Sequence, residues 1–181
     1  MTNKQILSKV EDKSLRIGIL GMGYVGLPLA VVFAEAGFSV VGIDPHQAKI
    51  EKLNKGISYI DDIETEIVER LVNNNLLRGS IDFSELADCD AVSICVPTPL
   101  RKTGDPDLSF IVSATEELAK YLHKDMIIVL ESTTYPGTTR ELMLNMLEEN
   151  SGLKAGEDFY LAFSPERVDP GREDWTTINT P

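Results

Sequence analysis

Short apolar runs rich in β-branched residues alternate along this chain with longer stretches of helical period. Residues 15–20 (LRIGIL) are compact, apolar and closed by a glycine, which predicts a strand buried on both faces. Residues 24–36 (YVGLPLAVVFAEA) have helical length and stop at Gly37, and residues 39–43 (SVVGI) are again β-branched and end at Asp44. Helical stretches follow at 47–54 and 64–73, then a weak, short strand candidate at 80–83. The pattern continues with a strand at 91–96 (AVSICV), a helix at 109–122 with Ser109 placed to cap it, and a strand at 126–130 (MIIVL). A helix at 137–149 and a last strand at 159–163 (FYLAF) complete the series. Six strands separated by helices imply right-handed crossovers, and so an α/β fold: a doubly wound, Rossmann-like parallel sheet with helices on both faces.

The polar, mixed-charge residues 1–14 read as a flexible leader, and 15–181 as one domain with ample length for a core. The chain ends at Asn179-Thr180-Pro181 with no cap or turn, so the expectation is a piece of a longer protein. Seventeen Lys and Arg against 29 Asp and Glu give a formal charge of −12, which argues against a nucleic-acid or anionic-membrane partner. No secretory leader or membrane-spanning run is seen, and two cysteines fit a reducing compartment, so a cytoplasmic location is expected.

Candidate chemistry begins at Gly21-Met22-Gly23-Tyr24-Val25-Gly26, a G-x-G-x-x-G loop that leaves the first strand and opens a helix. In that setting the first glycine allows the tight turn, the second lets backbone approach a pyrophosphate, and the third lets helix and strand pack closely. The free N–H groups and the positive end of the helix dipole would then face phosphate. Pro28 is tolerated so near the helix start. Asp44 follows Gly26 by 18 residues, at the end of the second strand. A carboxylate there accepts from ribose hydroxyls and repels a 2′-phosphate, and with no arginine beside it NAD is favoured over NADP. Asp44 would also serve as a helix cap, and Lys49 could either edge the adenosine pocket or stand as a solvated helix lysine.

Three further loops sit where open α/β sheets collect ligands, at strand C-termini. Pro97-Thr98-Pro99 is stiffened by two prolines; Glu131-Ser132-Thr133-Thr134 offers hydroxyls ahead of a helix, where simple capping would also account for them. Ser164-Pro165-Glu166-Arg167-Val168-Asp169-Pro170-Gly171-Arg172 alternates acid and base; Glu166 could work as a base or hold a water, and Arg167 or Arg172 could meet an anion. His46 and His123 read as surface residues, Cys95 as core, Cys89 as a thiol with no base nearby, and none of them has metal-ligand spacing.

Taken together, the glycine loop with its Leu27-Pro28-Leu29-Ala30 continuation, Val96-Pro97-Thr98-Pro99, Glu131-Ser132-Thr133 and Ser164-Pro165-Glu166-Arg167-Val168 resemble the nucleotide-sugar dehydrogenase family. The likeness runs from Leu15 to Pro181 and is greatest to the UDP-N-acetylhexosamine branch, the UDP-N-acetyl-glucosamine and -mannosamine 6-dehydrogenases. It implies oxidation of the sugar C6 alcohol to a carboxylate with two NAD⁺, in a cytoplasmic homodimer that makes polysaccharide precursors. On matching positions, Asp44 and Lys49 would bind the adenosine end, Thr98 and Thr133 would line the dinucleotide site, and Glu166 would assist attack by water near the sugar. UDP-glucose enzymes often carry a second carboxylate four residues after that glutamate; here the position is Pro170. The family's nucleophile is a cysteine within G-x-C-x-x-x-D, a context that neither Cys89 nor Cys95 has, and the family's central dimer helix and UDP-binding domain are not represented. The expectation is a chain that binds NAD without turning over a UDP-sugar. Two other readings share the glycine loop: the cofactor domain of a β-hydroxyacid dehydrogenase, and a non-catalytic NAD-sensing module.

Overall fold

The computed structural model describes residues 3–102 and 104–166. Helix α1 (Asn3–Glu11) precedes strand β1 (Arg16–Leu20), and the chain then runs through α2 (Gly26–Glu35), β2 (Ser39–Ile43), α3 (Gln47–Asn54), α4 (Thr65–Asn73) and β3 (Leu77–Ser80). A 3₁₀ turn at Phe83–Asp88 leads to β4 (Ala91–Ile94), α5 (Ser109–Tyr121), β5 (Ile127–Leu130), a π-helical stretch at Thr138–Met143, α6 (Leu144–Ser151) and β6 (Tyr160–Phe163). The six strands form one sheet in the order β3-β2-β1-β4-β5-β6, every neighbouring pair parallel.

Two apolar layers explain the winding. Ile17 and Ile19 of β1 meet α2, α3 and α4 on one face, through Leu27, Ala30, Ile50, Leu53 and Val68. Leu20, Val92, Ile94, Ile128 and Leu130 meet α5 and α6 on the other, through Ile111, Leu118 and Leu147. A strand covered on both sides has no polar face to show, which is why β1 reads as an unbroken apolar run. Helix α2 is buried nearly all round, and its stop is Gly37, whose φ of 94° suits a residue without Cβ.

Three expectations are corrected. The leader is helical over Asn3–Glu11: Ile6 packs against the core, and Lys9 reaches Asp90 at 2.5 Å while Asp90 accepts the Arg16 N–H at 2.9 Å. The third strand is Leu77–Ser80, not 80–83. It starts two residues after the left-handed Asn75, which lies just beyond the end of α4, and Phe83 enters the 3₁₀ turn. Gly79 serves this strand by admitting α3, since a Cβ there would lie 3.0 Å from both Ile50 and Leu53. The first turn of α5 is capped by Asp107, whose carboxylate accepts the Ser109 N–H at 3.1 Å, and not by the Ser109 side chain. Among the described residues no helix is long and apolar enough to cross a membrane.

Candidate functional site

Because all strands are parallel, the loops after β1, β2, β4, β5 and β6 emerge on one edge of the sheet. The ladders extend into them: the Gly21 N–H donates to the Ile43 carbonyl (2.8 Å), Cys95 N–H to Leu20 (2.7 Å), Glu131 N–H to Ile94 (2.9 Å) and Ser164 N–H to Leu130 (3.0 Å). Strands are added to one side of β1 as far as β3 and to its other side from β4 onwards, and at such a switch point an open sheet leaves a crevice.

The glycine loop occupies that point, and each glycine answers a different demand. At Gly21, with φ 91°, a Cβ would lie 2.7 Å from the Cys95 carbonyl oxygen. At Gly26 it would lie inside the Gly21 carbonyl, at 1.8 Å. At Gly23 it meets nothing within 4 Å. Protein packing therefore requires the first and third glycines, while at the second a side chain would meet none of the described residues. Met22 is fully buried over Gly42, where an added Cβ would come within 2.4 Å of its sulfur. Val25 is half-buried against the core, and Tyr24 is exposed.

Asp44 is the hub of the site and, among the described residues, the one buried carboxylate. Its Oδ2 accepts the Met22 N–H at 3.0 Å and the Lys49 ammonium at 3.1 Å; its Oδ1 accepts the His46 N–H at 2.9 Å. Asp44 is not the N-cap of α3, since it accepts from His46, the residue before the helix, and from no N–H of its first turn, while its carboxylate lines the crevice. A carboxylate has about four lone-pair sites. Three are taken by these bonds, which leaves one on Oδ1 to accept from outside the protein.

Beside Asp44 lies an apolar cavity of about 290 Å³, walled by Leu20, Ile43, Pro97, Phe83, Phe110 and Ala114. Lys49, His46 and Glu117 give it a polar rim. Sequence reasoning placed Asp44, Lys49 and Pro97 here but missed Phe83, Phe110, Ser113, Ala114 and Glu117. Spacing could have found the last four: 110, 113, 114 and 117 share one face of α5.

On the far side of the crevice the β4 and β5 loops are stitched together. Thr98 Oγ1 donates to the Thr133 carbonyl at 2.6 Å, and Ser132 Oγ donates to the Val96 carbonyl at 2.8 Å. Of the hydroxyls after β5, that of Ser132 therefore bridges loops, while that of Thr134 lies 2.7 Å from Thr138 Oγ1 at the start of the following helix, whose N-cap residue Gly137 has no side chain to cap it. Below them Ser93 Oγ donates to Glu131 at 3.2 Å. Burial pushes the Glu131 carboxyl up; the Ser93 hydrogen bond opposes this, the Glu166 charge adds to it and a Ser164 hydrogen bond opposes it again. Glu166 is half-buried on the same edge. Arg167 and Arg172 lie outside the described residues.

Neither thiol is placed as a nucleophile. Burial first of all pushes Cys89 up to about 11 and Cys95 up to about 12. His123 is not a plain surface residue: its ring nitrogens lie 3.0 Å from the Cys89 carbonyl and 2.9 Å from that of Lys124, tying the β4 approach to the turn before β5.

A glycine loop at the switch point of a parallel sheet, an acidic partner ending β2 and an apolar pocket beside them define a Rossmann-type dinucleotide-binding domain. Residues 15–180 match the NAD-binding domain of the UDP-glucose/GDP-mannose dehydrogenase family. The chain belongs to that family, and its cofactor is NAD. It is 42% identical over 161 residues to UDP-N-acetyl-D-mannosamine dehydrogenase of Pyrococcus horikoshii, covering 87% of this chain and 38% of the relative. It is 40% identical over 159 residues to UDP-N-acetyl-D-glucosamine 6-dehydrogenase of Pseudomonas aeruginosa, with coverages of 88% and 37%. Among solved structures, NDP-N-acetyl-D-galactosaminuronic acid dehydrogenase from Methanosarcina mazei Go1 superposes with a TM-score of 0.82 at 41% identity, covering 92% of this chain and 38% of that one. The chain thus spans well under half the length of the curated relatives it matches.

Proposed function

We propose that these residues are the cofactor half of a UDP-N-acetylhexosamine 6-dehydrogenase that oxidises the sugar C6 alcohol to a carboxylate, water supplying the second oxygen, with two NAD⁺ reduced for each sugar. The observation that carries the cofactor part is the contrast within the glycine loop: at Gly23, unlike Gly21 and Gly26, an added Cβ meets none of the described residues, next to a carboxylate with an acceptor site to spare. NAD, when bound, is the hydride acceptor. The Gly21–Gly26 backbone would face its pyrophosphate, Asp44 and Lys49 its adenosine ribose, and the Phe83–Phe110 cavity its adenine. Thr98 and Thr133 would flank the nicotinamide half, and Glu166 would orient the attacking water, with Arg167 as a cation for the sugar nucleotide. Relatives named for UDP-N-acetyl sugars support the substrate class. In this reading the longer protein works in the cytoplasm as a homodimer, and the −12 charge leaves anion binding to local N–H groups and a few placed cations, not to long-range attraction.

Calorimetric titration tests the cofactor part. NAD⁺ should bind, NADP⁺ at least about tenfold more weakly because Asp44 repels its 2′-phosphate, and Asp44→Ala should weaken NAD⁺ binding by about 1–3 kcal/mol. Equal affinity for the two cofactors would remove Asp44 from the ribose site. For the catalytic part, NADH production from UDP-N-acetylglucosamine or -mannosamine should be absent with these 181 residues and present in a chain that continues into G-x-C-x-x-x-D. Sustained turnover by the 181 residues alone would refute the assignment of the nucleophile.

A further inference from the structure

The glycine loop is gripped from two sides, and the Asp44 carboxylate on the Met22 N–H is only one of them. From the turn at 55–64, between α3 and α4, Tyr59 donates its hydroxyl to the Met22 carbonyl oxygen at 2.9 Å. A peptide unit is planar and trans, so the Met22 carbonyl and the Gly23 N–H point in opposite directions. Holding the carbonyl towards Tyr59 therefore aims the Gly23 N–H away from it. Gly23 borders open space, and its N–H has no protein acceptor among the described residues. A flip of this one peptide would present a carbonyl oxygen in place of that N–H, and an anion would meet the negative end of the dipole.

We infer that Tyr59 is a positioning residue for the cofactor's pyrophosphate: its hydroxyl locks the Met22–Gly23 peptide in the orientation that offers the Gly23 N–H to a phosphate oxygen. The inference rests on the NAD reading above and adds to it a residue that lies outside the glycine motif.

The turn that carries Tyr59 is itself pinned. Ser58 Oγ donates to the Ile60 carbonyl at 3.0 Å, the Ser58 N–H donates to Thr65 Oγ1 at 3.3 Å, and Ile60 is buried. Gly56, with φ 73°, lets the turn close against α4, since a Cβ there would lie 2.7 Å from Glu69 Cα. The ring packs against the core cluster, so the hydroxyl arrives from a fixed direction. Burial, and then the Asp44 charge, hold the phenol well above its usual range, and it stays a donor throughout the neutral region. With the Met22 side chain seated over Gly42, all three parts of this residue are restrained: its N–H, its carbonyl and its side chain.

Tyr59→Phe removes one oxygen and keeps the ring. NAD⁺ and ADP, titrated by calorimetry, should each bind about threefold to tenfold more weakly. Adenosine lacks the pyrophosphate and, followed by ligand-observed NMR, should change less than about twofold, with the melting temperature lowered by no more than about 2–6 °C, the share of one lost hydrogen bond. Unchanged NAD⁺ affinity would overturn the inference. So would equal weakening of NAD⁺ and adenosine, because a merely structural role loosens the whole site. Failure of the unsubstituted chain to bind NAD⁺ at all would overturn the cofactor reading and this inference with it, an outcome seen before any variant is made.

Discussion

The three loop glycines should separate folding from binding when each is replaced by alanine. At Gly26 the new methyl would sit 1.8 Å from the Gly21 carbonyl oxygen, well inside any allowed contact and against backbone that has no rotamer to yield. Overpacking of rigid neighbours costs about 1–3 kcal/mol and more in severe cases, so Gly26→Ala should lie at or above about 3 kcal/mol. Gly21→Ala combines a left-handed backbone (φ 91°), worth about 1–2 kcal/mol to an L-residue, with a 2.7 Å approach to the Cys95 carbonyl. For a domain of this size each kcal/mol moves the midpoint by about 2–4 °C, so both variants should melt many degrees lower. Gly23→Ala meets no atom of the described residues within 4 Å and needs no positive φ. It should melt at or slightly above the unsubstituted chain, because alanine narrows the unfolded ensemble by about 0.4–1 kcal/mol. Its NAD⁺ affinity should nevertheless fall roughly tenfold to a hundredfold, as the methyl intrudes where pyrophosphate approaches backbone. Differential scanning fluorimetry with and without NAD⁺ reads both quantities. Gly23→Ala that melts as low as Gly26→Ala, or that binds NAD⁺ normally, would refute this division of labour.

Two other outcomes follow from buried titratable groups. The Glu131 carboxyl is raised on folding, so the folded state favours its proton. Stability tied to it is full below the unfolded value of about 4.3 and declines as pH rises through the higher folded one. Glu131→Gln, which still accepts from Ser93, should therefore raise the melting temperature at pH 7.5 and lose that advantage near pH 4; a lower melting temperature at pH 7.5 would contradict the burial argument. Cys89 and Cys95, raised to about 11 and about 12 with burial as the main cause, should react with iodoacetamide at pH 8 at least about a hundredfold more slowly than in urea-unfolded chain. Rapid labelling of either in the native state would reopen its candidacy as a nucleophile.

How much was legible in the sequence depended on whether the cause was local. Strands buried on both faces announce themselves as apolar runs, and the glycine loop is readable because a turn, a close approach and a helix start each leave a residue-level mark. Strand β3 was misplaced because an edge strand needs few apolar residues, and Arg78-Gly79 resembles a loop. Helix α1 was missed because its hold on the domain comes from distant partners, with Lys9 reaching Asp90 81 positions away. The same holds within the site. Asp44 could be found by its distance from Gly26, whereas Tyr59 meets Met22 across 37 positions and Phe83 joins the cavity from a turn of its own. Contacts made only by the finished fold leave no periodicity to read.

The double duty of Asp44 has a consequence for redesign. Switching a dinucleotide enzyme towards the phosphorylated cofactor conventionally means trading this acid for a small or basic side chain. Here the trade would also strip the Met22 N–H of its acceptor and release Lys49 and the entry to α3. On the cofactor reading proposed above, a single exchange would loosen the hold on the glycine loop while it widened the ribose site. Any engineered change of cofactor preference in this domain must therefore come as a pair, one residue to admit the new phosphate and a second to take over the grip on the loop.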